Sequence, residues 1–471
     1  MDRIPYHEVK FHPHSFGDPD GRLFQWDGQL YRAISHEKAP FFKQLFRNGV
    51  IQELVDRGLL IGSELANLVL DGYGMVVRHH CVPFVSYPHE WCPAMFKEAA
   101  FTYIKLAREL VRRGLILKDT HPWNILFDGC KPVYVDLTSI RTMTGDARYP
   151  PYDKFCRYYL YPLVLMSHGK GRIARCLMPE YEGILESDVS MLIPDRSFSA
   201  SVVSKLRHMK SVLRQQLPEP MAKLVEEALK PIRSLFPKQI PGPNSALDFL
   251  EDLRREIENV SLPSFRFEHL DNDRDSTPPW SYRDLWTAKQ RGLHEILSEL
   301  RPGSVLDIGS NTGWYSKLAA FLGSKVVAFD LTPIYITQLY FDARGKNLPI
   351  LPLIMDFTDP TPSRGLSSHS SIAAAERFRC DMVLALSLVP DVVFKRKLHF
   401  DQVVEGLALF SKRWLVVEFA PRKDREVCKL WSSMFSWYTL DNFTNTLKKR
   451  FRTVDLMPSY PEPRVLVLCE K

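Results

Sequence analysis

Residues 305–316 read VLDIGSNTGWYS. An apolar run reaches an acid, Asp307. Gly309 follows two residues later and Gly313 four after that. The run predicts a buried strand over 304–308, followed by a sharp turn into a helix over 313–322. Gly309 permits close backbone approach and Gly313 a tight helix entry, because neither carries a Cβ. The N–H groups exposed on such a turn favour an acceptor. The spacing D-x-G-x-x-x-G is neither the dinucleotide G-x-G-x-x-G nor the phosphate loop G-x-x-x-x-G-K-[ST]. An adenosine or amino-acid ligand suits it better than a phosphate.

Outward from this turn the chain alternates between two periods. A helix over 281–300 precedes the first strand. After the 313–322 helix come a strand over 325–330, a helix over 333–345 and a strand over 349–355. Strands over 381–387 and 413–419 flank a helix over 400–410, and 450–470 reads as a hairpin. Apolar strands alternating with helices specify an α/β fold with a parallel sheet covered on both faces. Ligands of such sheets bind at the carboxyl ends of the strands. Two more acids stand there: Asp330 ends VVAFD and Asp356 ends LPLIMD. A carboxylate at Asp330 can take both hydroxyls of a ribose. The plain alternative for all three acids is a turn or helix-cap role.

VLDIGSNTGWYS, VVAFD, LIMD, CDMVLALSLV and WLVVEF together resemble the successive motifs of class I S-adenosylmethionine-dependent methyltransferases. The resemblance covers about 280–471. It implies a Rossmann-like seven-stranded methyltransferase domain at the C-terminus. It also implies that the turn of Asp307, Gly309, Ser310, Asn311 and Gly313 holds the methionine part of the cofactor, Asp330 the ribose and Asp356 the adenine, with Leu331 a further cofactor-binding residue. Methyl transfer is a displacement at a sulfonium, so alignment of the acceptor is the main task, often aided by a base. The segment Leu388-Val389-Pro390-Asp391 lacks the [DNS]PP[YFW] signature of amino-group methylation. The whole chain also resembles a bacterial group that includes rhizobial nodulation-type methyltransferases. Members of that group often carry two histidines where this chain has Pro390 and Asp391. Asp391 and Glu418, at the end of strand 413–419, are the candidate bases; the alternative for each is a cap or surface acid. The resemblance points to a small-molecule or glycan acceptor.

The front half carries its own acids. Residues 117–136 read LKDTHPWNILFDGCKPVYVD, with Asp119 and Asn124 five apart and Asp136 twelve further on. This spacing resembles kinase catalytic loops, and HPWNILFDG those of aminoglycoside- and choline-type phosphotransferases. There the first Asp accepts a hydroxyl proton, and Asn124 with Asp136 would hold magnesium for ATP. The departures are Leu117 in place of the usual histidine and the lack of a glycine-rich phosphate loop in HSFGDPDGRLF. No evident nucleotide-pairing lysine exists either; Arg32 and Arg78 are the nearest basic strand residues. Three readings stay open: an active phosphotransferase, a kinase-like fold that only binds nucleotide or substrate, and a structural hairpin with Asp119 as a cap. Around this segment the chain predicts an α+β domain, kinase-like at 117–136. Residues 22–34 form a hairpin turning at Asp27-Gly28, 40–59 and 93–113 are helical, and 152–255 are mostly helical, for example at 201–216 and 221–235.

Breaks fall at 149–151, 237–244 and 261–279, and the main boundary is placed near 270, giving domains 1–270 and 271–471. Trp280, Tyr282 and Trp286 lie just beyond it, as a lid or as a buried anchor. The net charge of +7, from 62 basic and 55 acidic residues in 471, is too mild and dispersed for a nucleic-acid footprint. The eight cysteines form no CxxC pair, which argues for a reducing compartment and against zinc. The longest apolar run, 158–166, contains Pro162 and is too short to span a bilayer. The chain is expected to be soluble and cytoplasmic, without nucleic-acid or membrane partners; its oligomeric state is not written in the sequence.

Overall fold

The computed structural model describes residues 2–12, 15, 18–143, 149, 151–180, 182–193, 243–262, 279–280, 285–366 and 371–471. The helices expected at 201–216 and 221–235, the boundary near 270 and Tyr282 lie outside the described residues. The chain divides into two compact units, neither of them one continuous segment. The first is Met1–Ala99, Trp123–Thr138 and Ser264–Lys471; the second is Ala100–Pro122 and Ser139–Pro263. This differs from a single cut near 270.

In the first unit the strands β1 (Lys10–Phe11), β2 (Gly21–Trp26) and β3 (Gln29–Ile34) lead to helices α1 (Ala39–Arg47) and α2 (Val50–Asp56). Strands β4 (Ser63–Leu65) and β5 (Met75–His79) complete an antiparallel sheet of order β1-β2-β3-β5-β4. The β2–β3 turn has both central residues left-handed, Asp27 at φ 47° and Gly28 at φ 69°, as a two-residue hairpin requires. Phe24, Tyr31, Ala33 and Val76 form the core of this sheet. The helix expected over 40–59 is two helices, because Gly49 takes φ 73° between them. A further hairpin, β6 (Ile125–Asp128) with β7 (Lys131–Tyr134), turns at Gly129. A Cβ on that glycine would lie 3.3 Å from Pro349 Cα, so the hairpin tip sits directly on the chain entering the next sheet.

That sheet has seven strands. Helix α3 (Ala288–Leu300) precedes β8 (Ser304–Ile308), α4 (Trp314–Phe321), β9 (Lys325–Asp330), α5 (Pro333–Lys346) and β10 (Ile350–Ile354). Then follow β11 (Cys380–Ala385), α6 (Phe400–Phe410), β12 (Ser411–Phe419), β13 (Thr453–Pro458) and β14 (Val465–Glu470). The order is β10-β9-β8-β11-β12-β14-β13, parallel through β12 and antiparallel at the last two strands. Every residue of β10 is buried, as are four of five in β8, which is why these strands read as unbroken apolar runs. The order reverses between β8 and β11, and the crevice beyond the carboxyl ends of those strands is the natural ligand position.

The second unit holds an antiparallel pair, Leu115–Leu117 with Ile140–Thr142, and helices that include Tyr161–Ser167, Gly171–Leu177, Glu186–Leu192 and Pro243–Asn259. Its core contains Tyr103, Tyr149, Phe155 and Tyr159.

Within the first unit a buried ion pair ties residues 85–90 to 372–378. Arg377 Nη2 donates to Glu90 Oε1 at 2.5 Å and Nη1 to Oε2 at 3.0 Å, with side chains 2% and 1% exposed. Arg377 also donates to the Val85 and Ile372 carbonyls and lies 4.1 Å over the Tyr87 ring. Removing one partner of such a pair strands a buried charge. We expect Arg377→Ala to lower unfolding free energy in urea by about 3–5 kcal/mol. The double variant with Glu90→Ala should lose much less than the sum of the single losses; strict additivity would show that the pair is not coupled.

Candidate functional site

The turn after β8 is built by three left-handed residues, Gly309 (φ 73°), Asn311 (φ 52°) and Gly313 (φ 77°). Gly309 and Ser310 both donate their N–H to the Phe329 carbonyl, at 2.8 and 2.9 Å, which stitches the turn to β9. A Cβ on Gly313 would lie 2.7 Å from Leu339 Cδ2, so a side chain is barred there by packing as well as by φ. A Cβ on Gly309 would meet only Leu388 Cδ1, at 4.0 Å, leaving room beside the turn. Ser310 Oγ is buried with no hydrogen-bond partner among the described residues. A buried hydroxyl without a partner marks a place for a polar ligand atom.

The structure brings Asp330 to this turn. Its Oδ2 accepts the Asn311 N–H at 2.9 Å and its Oδ1 the Thr332 N–H at 2.8 Å. Each carboxylate oxygen keeps a second acceptor site, which leaves capacity for two hydroxyl donors. Leu331 beside it is 53% exposed, an apolar face on the same edge. Asp307 is 2% exposed and accepts from Ser316 Oγ at 2.6 Å. Burial pushes its carboxyl up to about 6, against the stabilising hydrogen bond from Ser316. Such a group favours a cationic neighbour. Asp356 is more fully engaged. Its Oδ1 accepts from Thr358 N and Oγ1, and Arg396 Nη2 donates to its Oδ2 at 2.8 Å.

Glu418 is 0% exposed at the end of β12. Ser459 Oγ donates to its Oε1 at 2.5 Å, and Lys289 Nζ lies 3.2 Å from each oxygen. Its Oε2 accepts from Ser387 N at 3.1 Å, Ser387 Oγ at 2.9 Å and Arg464 Nη1 at 3.4 Å. Arg464 in turn donates Nε to Asp424 Oδ2 at 2.7 Å. A carboxylate surrounded in this way holds Ser387, a left-handed residue at φ 57°, at the exit of β11. This is a positioning geometry, unlike that of an accessible base. Asp391 pairs with Lys395 at 2.8 Å, both side chains 59% exposed.

Sequence reasoning overlooked Lys289, Ser387, Arg464 and Asp424. One signal was present: Lys289 stands on the apolar stripe of α3 with Leu293, Ile296 and Leu297, at helical spacing. Trp286 is 4% exposed and meets Trp314 edge-on at 5.5 Å, so it is the buried anchor rather than a lid.

The kinase-like residues are distributed over both units. In the second, the Asp119 N–H donates to Ser139 Oγ at 3.1 Å. In the first, Asn124 Nδ2 donates to Asp136 Oδ2 at 3.4 Å and to Tyr134 Oη at 3.2 Å. Asp136 Oδ1 lies 3.1 Å from Arg32 Nη1 and 2.8 Å from Thr138 Oγ1. Among the described residues no group of three or more His, Cys, Asp or Glu side chains is placed to hold a metal ion, and no helix is long and apolar enough to cross a membrane.

The Glu418 geometry makes a clear prediction. Glu418→Ala leaves Lys289 and Arg464 short of their shared counter-charge and should lower stability by about 3–5 kcal/mol in thermal or urea unfolding. Unchanged stability would mean that the carboxylate does not hold this network together.

No protein-family model matches the chain. It is similar to "Nodulation protein NoeA" of Rhizobium meliloti (strain 1021), 24% identical over 456 residues, which cover 94% of this chain and 92% of that one. The rhizobial nodulation-type relative expected from the sequence is therefore found. Among solved structures, the bifunctional kinase-methyltransferase WbdD matches over 38% of this chain and 37% of its own, with 16% identity and a TM-score of 0.29. The magnesium protoporphyrin IX methyltransferase ChlM of Synechocystis PCC 6803, with bound SAH, matches over 44% of this chain and 95% of its own, with 13% identity and a TM-score of 0.30. The chain thus matches well under half the length of WbdD.

Proposed function

We propose that residues 271–471 form a Rossmann-like methyltransferase domain that transfers a methyl group from S-adenosylmethionine to a small-molecule or glycan acceptor. The observation that carries this reading is the turn at 308–313, with its unpartnered Ser310 Oγ and with Asp330 locked beside it by the Asn311 N–H. The cofactor would supply an electrophilic methyl group on sulfur. The chain's own residues divide the binding. The turn and buried Asp307 receive the amino-acid end, Asp330 the ribose hydroxyls, and Leu331 the adenine face. Asp356 lies at the third strand end, with Arg396 and Thr358 on its oxygens. Ser387, set by Glu418, borders the side from which an acceptor would approach.

The reading stops short of phosphate transfer. Both oxygens of Asp136 already face N–H donors of this chain, Arg32 and Asn124, so no magnesium or ATP step is assigned to them.

Isothermal titration calorimetry tests the proposal. The full chain should bind S-adenosylmethionine, and Asp330→Ala should weaken binding by about 1–3 kcal/mol through loss of a charged hydrogen-bond partner. Absence of binding at about 1 mM cofactor, where even a 4 kcal/mol interaction registers, would overturn the reading.

Asp307 adds a pH signature. Ionised, it attracts the cationic end of the cofactor; below about 6 it becomes neutral. Affinity should therefore be level above about pH 7 and fall by up to roughly tenfold by pH 5. Asp307→Asn should flatten that profile, and an identical profile in the variant would assign the titration elsewhere.

A further inference from the structure

The chain leaving β12 forms a strap from Ala420 to Tyr438, closed by Tyr438 Oη, which donates back to the Ala420 carbonyl at 3.0 Å. Asp424 fastens its near end. The Asp424 Oδ1 accepts the Glu426 and Val427 N–H groups at 2.9 and 3.3 Å, and its Oδ2 accepts Arg464 Nε at 2.7 Å. Arg464 belongs to the same network through which Glu418 holds Ser387. The far end of the strap packs on the segment that leaves β11. The Phe394 ring lies 6.4 Å from Trp431 and 4.7 Å from both Phe435 and Tyr438. The strap is thus tied to the exits of β11 and β12, which stand on the other side of the switch point from β9 and Asp330.

Its charges do not balance. Arg422, Lys423, Arg425 and Lys429 are all exposed. The strap has two acids, and both are engaged: Asp424 turns inward to Arg464, and Glu426 accepts from Lys429 Nζ at 2.8 Å. Among the described residues no carboxylate pairs with Arg422, Lys423 or Arg425. Three cations within four positions repel one another unless an anion joins them. Arg422 is also held in place, with its Cζ 4.6 Å over the Trp431 ring. A guanidinium laid on an aromatic face is ordered in advance and keeps its N–H edge open. Arg413, at the other end of β12, makes a useful contrast. It lies 4.1 Å over Trp414 but donates Nε to Glu470 Oε1 at 3.1 Å. Arg422 has the same stack without the carboxylate.

We propose that this strap recognises the acceptor, and that the acceptor carries an acidic group, a carboxylate or a phosphate. Arg422 takes two oxygens of that group on its open edge. Lys423 and Arg425 add charge that draws the anion in and favours it over neutral competitors. An acceptor with hydroxyls alone leaves all three cations facing water and gains nothing from them. The inference rests on the methyltransferase reading, because only in that reading do the exits of β11 and β12 border an acceptor. It deepens that reading from a small molecule or glycan of any kind to an anionic one.

Calorimetry on the full chain at low ionic strength, where exposed charges are least screened, is the test. The probes are tetragalacturonate for a carboxylate, tripolyphosphate for a phosphate and maltotetraose as the neutral control. Thermal unfolding confirms that each variant is folded. At least one anion should bind the wild type more tightly than maltotetraose, and the tighter of the two identifies the acidic group. Arg422→Gln should weaken that binding about tenfold, as expected for a lost charge-assisted hydrogen bond. Arg413→Gln, which removes the same charge from the far end of β12, should leave it unchanged. Anions that bind no better than maltotetraose would overturn the proposal. So would an Arg422→Gln protein that binds as the wild type does, or an equal loss in Arg413→Gln, which would mark general surface charge. Cofactor affinity is measured on the same proteins. A wild type that fails to bind S-adenosylmethionine defeats the methyltransferase reading, whereas loss of anion selectivity with cofactor binding intact defeats this inference alone.

Discussion

A buried carboxylate between two cations sets the carboxyl edge of the seven-stranded sheet. Glu418 gathers Lys289 from α3, Ser387 from the exit of β11, and Ser459 and Arg464 from the link between β13 and β14. None of these segments is adjacent to another in sequence. Without a shared partner, each would present a polar group to a desolvated edge, at a cost of several kcal/mol per ion. Together they leave the charges compensated, with Asp424 completing the set through Arg464. The arrangement fixes where β11 ends and where the chain turns after it. An apolar substitute of similar volume offers Ser387 no acceptor for its N–H and Oγ.

The opposite half of that edge depends on backbone rather than on side-chain charge. Gly309, Asn311 and Gly313 all take positive φ, and two N–H groups of the turn converge on one carbonyl of β9. Asp330 is held by two backbone donors before any ligand arrives, so little ordering remains for a ligand to impose. The two halves meet at Leu388, whose Cδ1 is the nearest atom to a Cβ placed on Gly309. The two halves of the edge are thereby set by independent devices on one sheet.

The sheet was legible in the sequence because its strands are buried on both faces. ILPLI and VLDI are apolar without alternation, and the acids that interrupt them fall at strand ends. Element limits at 304–308 and 325–330 follow directly from that contrast. The Glu418 network was not legible, because its members are single charges scattered across 176 positions from Lys289 to Arg464, and pairing at such separations leaves no period. Glu418 could be picked as a strand-end acid, but its burial could not. Lys289 alone left a trace, as a cation on an apolar helical stripe. Gly49 was a similar limit: the apolar period continues through it, and only its left-handed backbone divides the helix.

The same reasoning explains why a linear cut does not describe the chain. Proline-rich, polar stretches indicate where a boundary is tolerated, but compactness is decided by which surfaces bury each other. The β6–β7 hairpin rests its tip on the residues entering β10, Phe127 meets Tyr340 edge-on at 6.3 Å, and Arg344 reaches Glu98 at 2.8 Å. The Arg377–Glu90 pair closes the same contact with two charges almost fully removed from water. These contacts join residues some 210 to 290 positions apart into one unit. Asn124 and Asp136 bracket the hairpin, and Asp356 follows the strand its tip touches. The hairpin tip meets the chain where it enters β10, at the opposite end of that strand from Asp356.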